Sequence, residues 1–511
     1  MIRSRKDKRK SNHSPAVERK LRKVRLSRKQ THAVILFPAP FPNAIANLGF
    51  LTIWDRLNTA GDFLCDRAVW DPRHPSEPEG IETGLPLSAF PLIFISSSTE
   101  LDLPAVIDAL IASGIEPEAG SRQGRPLIVA GGITLTLNPA PWAPLLDLAI
   151  LGEGEDAILP WISLYADWQK QSGSRPELLQ ASSALPFLWI PDQEDRMVTP
   201  ARYESFTEHP AFSTVVHPDG HFGDCFLIET TRGCPRRCKF CAACAAFSAR
   251  FASADAIINT IDSTHCLTAP KVGLVGAAVG DHPRLKQIVA HVLLSGKEIT
   301  LSSLRIESTD AELLDLLTEG GFRSLTIAPE AGSEGERFKL GKKATDADIL
   351  KLAQIAAEKG INHLRMYFLI GLPEAEPADS IARLITWLRK ETPSSLFLDL
   401  SVASFIPKPF TPWEGEPFAG IPTLDHVKKQ IKDAIKPLSR VDVRFESTRM
   451  EQIAVLLSRG DRRIGEVLIA AKKSSRSFNQ QIRLDNLDLT PYLAPADTDY
   501  ILPWKVIHPH D

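Results

Sequence analysis

From Thr31 onward the chain alternates short, continuous apolar runs with helix-length segments. The runs AVILF (33–37), LIFIS (92–96), LIVAGG (127–132) and LDLAILGEGE (146–155) do not alternate polar with apolar. That is the pattern of strands buried on both faces. Segments 43–60 and 103–113 have helical length and spacing between them. Strand–helix alternation of this kind predicts a doubly wound α/β sheet. A second series starts near Phe226, with strand candidates at 226–231, 271–276, 298–304, 323–330, 364–373 and 396–405. Helices are expected at 253–267, 283–296, 309–319, 345–359 and 377–391. Six β/α repeats fall short of the closed eight-fold barrel, so a partial, open barrel is expected. The expected division is a basic tail (1–30), a Rossmann-like domain (31–165), a Pro-, Ser- and Gln-rich linker (166–222), a partial barrel (223–435) and a small C-terminal domain (436–511).

Of the seven cysteines, four fall in RGCPRRCKFCAAC, residues 232–244. Cys234, Cys238 and Cys241 follow C-x3-C-x2-C, and Cys244 lies three positions on. This stretch directly follows the first strand of the second series, and loops after barrel strands form the catalytic face. Iron–sulfur clusters are held by cysteine thiolates, normally four. Three on one short loop leave one iron open to an outside ligand. Two alternatives stand beside that reading. A structural zinc site prefers paired knuckles or Cys/His partners, and no second knuckle follows. Cys244 as a fourth ligand closes the cluster into a plain electron carrier; otherwise it is a small buried residue or a secondary redox thiol.

An odd, clustered cysteine count argues against a disulfide framework and for metal or redox use in a reducing compartment. With no secretory pattern and no apolar stretch near the ~20 residues a membrane span needs, a cytoplasmic protein without a membrane partner is expected. The formal net charge is −3. Lys and Arg are dense over residues 2–30, which are expected to be a solvated, disordered extension or, alternatively, a nucleic-acid contact.

Other candidates sit at strand ends. Gly131, Gly132, Gly152 and Gly154 follow strands of the first series, at the edge where such sheets bind ligands; tight turns are the alternative. Ser303 and Arg305 share a face at period two. Glu330 ends the fourth barrel strand and Gly371 the fifth. Arg250 and the KPFTPW loop (408–413) are candidate substrate contacts.

The C-x3-C-x2-C loop, with Phe240 directly before its last cysteine, resembles the radical S-adenosylmethionine (SAM) superfamily. The resemblance implies a [4Fe–4S] cluster on Cys234, Cys238 and Cys241. Its open iron chelates SAM, and one electron cleaves SAM to a 5′-deoxyadenosyl radical. It also implies that Phe240 and the FLIGLP segment with Gly371 pack near the adenine. Glu330 and Ser303 would contact SAM, and Arg305 would pair its carboxylate. A flavodoxin- or ferredoxin-like reductant is the expected partner. The order of parts, with strings such as FPNAIANLGF, LTIAPEAGSE, MYFLIGLPEAEPAD and SRGDRRIGEVL, is similar to a poorly characterised branch of the cobalamin-binding-domain-containing subgroup over residues 31–511. Two departures stand out. The family's Gly-Gly-Glu position reads GAAVGDHP (276–283), where backbone carbonyls or Asp281 would substitute. The cobalt-ligating Asp-x-His-x-x-Gly is absent, and DPRHPSEPEG (71–80) has the wrong spacing, leaving His74 a loop histidine. Cobalamin is then either held on the glycine edges without a protein ligand to cobalt, or lost. The functions implied are methyl transfer or a related radical reaction on an unidentified substrate, with an RNA-modifying enzyme as one variant. A non-enzymatic electron carrier or cobalamin-responsive binding protein is the alternative class.

Overall fold

A computed structural model describes residues 18–21, 31–60, 63–122, 126–193, 195–302, 304–373, 379–496 and 502–508. Apart from 18–21, the basic N-terminal segment lies outside the described residues, and so does its expected nucleic-acid contact.

The strands in chain order are β1 Arg19–Lys20, β2 Thr31–Phe37, β3 Phe63–Val69, β4 Leu92–Ser97, β5 Leu127–Gly132, β6 Leu148–Ile150, β7 Leu188–Trp189, β8 Val215–Val216, β9 Cys225–Arg232, β10 Arg250–Phe251, β11 Lys271–Gly276, β12 Glu298–Leu301, β13 Ser324–Glu330, β14 His363–Ile370, β15 Phe397–Ser404 and β16 Val441–Phe445. The first sheet runs β3-β2-β4-β5-β6-β7, parallel except for β7. The order reverses at β2, where β3 lies on one side and β4 on the other. This is the switch-point topology of flavodoxin-like sheets, which bind ligands outside the carboxyl ends of the strands at that point.

Both faces of this sheet are covered, as its unbroken apolar runs require. Ala33, Ile35 and Phe37 of β2 pack on one face with Phe50, Trp54 and Trp161. Val34 and Leu36 point to the other face, against Val106 and Leu110 and also Leu456, Ile464 and Leu468 from near the C-terminus. The last helices thus fold back and share the core of the first domain. Asn138 Nδ2 donates to the carbonyls of Ser458 (3.0 Å) and Gly460 (2.8 Å), and Lys472 pairs with Asp108 at 2.5 Å.

β3 was not legible as a strand because Asp66 and Arg67 interrupt its apolar run. Both are fully buried. Arg67 donates to Glu82 (2.6 Å) and Glu18 (2.8 Å), with its guanidinium 4.6 Å from the Trp54 ring centroid. Glu18 belongs to the short N-terminal piece whose Arg19–Lys20 strand pairs antiparallel with β8. The stretch read as a linker also carries regular structure. The helix Gly154–Gln171 runs into it, and Arg175–Ser182 follows with a capping box from Ser174 and Glu177.

The second unit consists of two four-stranded sheets, β10-β9-β11-β12 and β13-β14-β15-β16, parallel apart from β10. Leu304 N donates to Thr326 O at 2.9 Å where the two sheets meet. All six strands expected from the sequence are present. A seventh parallel strand, β16, adds to them on the far side of residue 435. It is an edge strand with no buried residue, so its sequence lacks an apolar run.

Candidate functional site

The cysteine loop leaves the carboxyl end of β9 and returns at β10. Pairing of Arg232 with Arg250 and of Thr231 with Phe251 closes its two ends. Gly233 opens the loop at φ +65°, and a Cβ there would stand 2.3 Å from Phe247 O, so only glycine fits. Cys238 is buried, while Cys234, Cys241 and Cys244 are half-buried. Cys241 N donates to Cys238 O at 3.2 Å, a tight turn that brings the last two cysteines of the motif together. No three His, Cys, Asp or Glu side chains among the described residues converge as ligands to a single ion do. A zinc site needs that convergence; a cubane does not, because each thiolate binds a different iron.

Cys244 is engaged within the loop. It lies in the short helix Ala243–Ala246 and its Sγ donates to Cys241 O at 3.1 Å. Burial, with the neighbouring cysteines, pushes its thiol up to about 11. Burial likewise pushes up Cys238 and Cys241, while the Lys342 ammonium pulls both down.

Lys342 was not singled out in the sequence. Its Nζ lies 3.1 Å from Glu330 Oε1 and donates to Ala328 O at 3.2 Å. Glu330 stands at the end of β13 with φ +68°, a backbone conformation uncommon outside glycine and found at functional sites. Burial pushes its carboxyl up, against the pull of Lys342. Phe240 packs in a small apolar group with Ala331, Leu340, Leu369, Leu372, Phe405 and Trp413, at the carboxyl ends of β13, β14 and β15.

Other expected site residues are engaged within the chain. Arg305 donates to Asp281 at 3.1 Å, and Asp281 also accepts from Arg236 of the cysteine loop at 3.2 Å. Asp281 thus ties two arginines together. Ser303 lies outside the described residues. Gly371, at φ +71°, turns its bare face to the chain itself; a Cβ there would lie 2.7 Å from Leu424 and 3.0 Å from Ala419. Arg250 pairs with Glu153 and donates to Tyr203 O at 2.7 Å. Lys408 of the KPFTPW loop pairs with Glu100 of the first domain. His74 is 80% exposed and bonds to Asp71 at 3.3 Å.

The four glycines of the first domain come together. Gly131, Gly132, Gly152 and Gly154 all line a cavity of about 610 Å³. One wall is the carboxyl edge of the first sheet, with Ile35, Ser97 and Ser98. The opposite wall is the barrel, with Thr231 of β9, Gly276 of β11, and Gly233, Ala243 and Phe247 of the cysteine loop. Two of the glycines are there because backbones meet closely. A Cβ on Gly132 (φ +120°) would come within 1.9 Å of Ser97 O, and one on Gly152 (φ +90°) within 2.2 Å of Ala201 O. These glycines leave part of the cavity floor without side chains. Among the lining residues no histidine, cysteine or methionine is present.

A buried ion cluster joins the two walls. Arg232 lies 3.3 Å from Glu153 and donates to Glu155 at 2.6 Å and Glu229 at 2.7 Å. Arg232 and Arg250 both lie over the Phe206 ring, at 4.8 and 5.4 Å. The carboxylates of LGEGE thus hold the hairpin on which the cysteine loop is built. The sequence showed the LGEGE string but nothing that said what its glutamates meet.

A doubly wound domain facing a three-cysteine partial barrel across a cavity is the architecture of a cluster-bearing enzyme. A model described as the radical SAM superfamily matches residues 228–384, and one for the N-terminal region of radical SAM proteins matches residues 49–191. The chain belongs to the radical SAM superfamily and is an enzyme of that class; its cofactors are a [4Fe–4S] cluster and SAM. An uncharacterized protein of Methanocaldococcus jannaschii is 29% identical over 387 residues, covering 75% of this chain and 81% of that one. The radical SAM methyltransferase TsrM from Kitasatospora setae, solved with tryptophan substrate and a SAM analogue, superposes with TM-score 0.53 at 12% identity, over 76% of this chain and 75% of that one. The cobalamin-dependent SAM radical enzyme OxsB gives 0.50 at 15% identity, over 88% of this chain; the chain spans 62% of OxsB. These likenesses show a shared fold, that of the cobalamin-dependent radical SAM enzymes. Among the described residues no helix is long and apolar enough to cross a membrane.

Proposed function

We propose that this radical SAM enzyme holds cobalamin in the cavity between its domains and transfers a methyl group, or carries out a related radical reaction, on a substrate admitted beside the cysteine loop. One observation carries this reading. A cavity of about 610 Å³ is bounded on one side by the carboxyl edge of a switch-point sheet and on the other by the loop of Cys234, Cys238 and Cys241. When bound, the cluster supplies an electron to SAM, and cobalamin supplies a metal that carries a methyl group.

The chain's own residues then have distinct tasks. Cys234, Cys238 and Cys241 hold three irons. Gly131, Gly132, Gly152 and Gly154 would hold cobalamin at the sheet edge by leaving their backbone open to it. The lining residues would offer cobalamin no imidazole. Phe240 and its apolar neighbours offer a wall to adenine. Glu330 accepts from an ammonium or from ribose hydroxyls, taking over the place that Lys342 fills here.

The test is anaerobic reconstitution with iron, sulfide and hydroxocobalamin. Bound cobalamin is read from its visible spectrum, the open iron from the shift of the cluster's electron paramagnetic resonance on adding SAM, and turnover from 5′-deoxyadenosine. Thr52 lines the cavity from the helix Leu48–Thr59. Thr52→Trp should fill it and weaken cobalamin binding about tenfold or more, leaving the cluster's resonance in place. Full cobalamin affinity in that variant would remove the cavity from the reading.

A further inference from the structure

The cysteine loop has two sides. Gly233, Ala243 and Phe247 face the cavity. On the other side Lys239 N donates to Leu340 O at 3.1 Å. Gly341, at φ +89°, lies so close that a Cβ there would be 3.3 Å from Arg237 O and 3.4 Å from Cys238 Cα. The loop therefore rests on the end of the helix Glu334–Leu340, and side chains from both segments make one surface.

That surface is basic with an aromatic residue in it. Arg237, Lys239, Lys339 and Lys343 are exposed, and Phe338 is 50% exposed. The cation of Lys239 lies 5.7 Å from the Trp413 ring centroid. Arg237, Lys339 and Lys343 form no ion pair with any of the described residues, although the protein as a whole carries net charge −3. The helix's own acids face elsewhere. Glu336 is buried and accepts from Ser380 Oγ at 3.2 Å, and Glu334 accepts from Asp346 N at 2.7 Å.

We propose that this surface docks a small acidic one-electron carrier protein, and that the electron enters the cluster from the side of the loop opposite the cavity. This rests on the radical SAM reading above. Electron tunnelling falls steeply with distance, so a donor must dock where the ligand loop itself reaches solvent, and Arg237–Lys239 do so on both sides of Cys238. Unpaired cations steer an acidic partner and raise its on-rate. An aromatic anchor ringed by charge is ordinary interface anatomy, and electron-transfer encounters need only small areas. A nucleic acid would track a longer basic groove than this one. In each encounter the donor loses one electron and the cluster gains one; no bond, atom or proton passes between the proteins.

The test uses full-length, cluster-reconstituted protein with flavodoxin and, separately, ferredoxin as probes. Binding is measured by calorimetry, and cluster reduction by stopped-flow absorbance at two salt concentrations. Wild type should bind at least one carrier, more weakly at high salt. Lys339→Glu/Lys343→Glu should lower affinity and reduction rate about tenfold or more, and Phe338→Ala should lower affinity at either salt concentration. Dithionite-driven 5′-deoxyadenosine formation should be unchanged in both variants, which also certifies that they fold. Failure of wild type to bind either carrier, or unchanged affinity and rate in the charge-reversed protein, overturns the proposal. So does transfer RNA binding that is lost in that variant while carrier binding stands. If wild type forms no 5′-deoxyadenosine with dithionite, the radical reading fails on its own, and the binding data still decide the docking surface.

Discussion

The two walls of the cavity are built by opposite means. On the barrel side the chemistry lies in side chains of one short loop, with Cys234, Cys238 and Cys241 within eight positions of one another. On the other side it lies in backbone. Gly131, Gly132, Gly152 and Gly154 contribute the absence of side chains, and at Gly132 and Gly152 another stretch of backbone stands within about 2 Å of where a Cβ would be. Side-chain chemistry tolerates loop movement as long as spacing survives. A backbone-lined floor depends on the whole sheet. The barrel wall should therefore fail chemically when altered, and the glycine wall structurally.

The sharpest way to break that comparison is at the cysteines. Cys238→Ala should abolish cluster retention and 5′-deoxyadenosine formation while the protein stays folded. Cys244→Ala should retain the iron content of wild type after reconstitution, because that thiol donates to Cys241 O. Equal iron loss in both variants would make Cys244 a ligand and the loop a closed four-thiolate set.

The join between the walls comes next in size. Arg232→Met leaves Glu153, Glu155 and Glu229 buried with Arg250 as their remaining cation, and should cost about 3 kcal/mol in denaturant unfolding. Arg232→Lys should recover part of this. The glycine wall follows. Gly132→Ala places a methyl against Ser97 O at φ +120° and should cost about 2–3 kcal/mol, with loss of cobalamin binding but not of cluster assembly. A cluster lost together with cobalamin would show that the two walls are one cooperative unit.

The smallest effect is a pH dependence in β3. Burial, with Glu82 beside it, pushes the Asp66 carboxyl from the ordinary carboxylate range up to about 7. A raised carboxyl binds more protons folded than unfolded, so its contribution is full below about pH 4 and is lost as pH rises through 7. Stability should fall as pH rises from about 4 to 7, and Asp66→Asn should flatten the profile. Thermal midpoints from pH 5 to 8 decide it.

Legibility followed the same division. The six barrel strands and the ligand loop could be read because apolar runs and cysteine spacing are local. β3 could not be, because its Asp66–Arg67 pair looks like a loop until Glu82, Glu18 and Trp54 surround it. β16 could not be, because an edge strand needs no apolar run. Arg305 and Arg250 had the right chemistry for a ligand, but Asp281 and Glu153 bind them in the fold. Lys342 gave no signal, since a lysine in GKKA reads as surface until the chain folds it onto Glu330.

By itself the sequence determined the class of the protein: two strand–helix series, a three-thiolate loop at the carboxyl end of a strand, and glycines at the edge of the first sheet. Each is written over a few consecutive residues, and spacing along a chain survives folding. Only the tertiary structure decided that the glycine edge and the cysteine loop face one another across a single cavity, that LGEGE grips Arg232, and that the C-terminal helices close over the first domain. Those contacts join residues tens to hundreds of positions apart. Sequence distance carries no information about them until packing and charge pairing have brought them together.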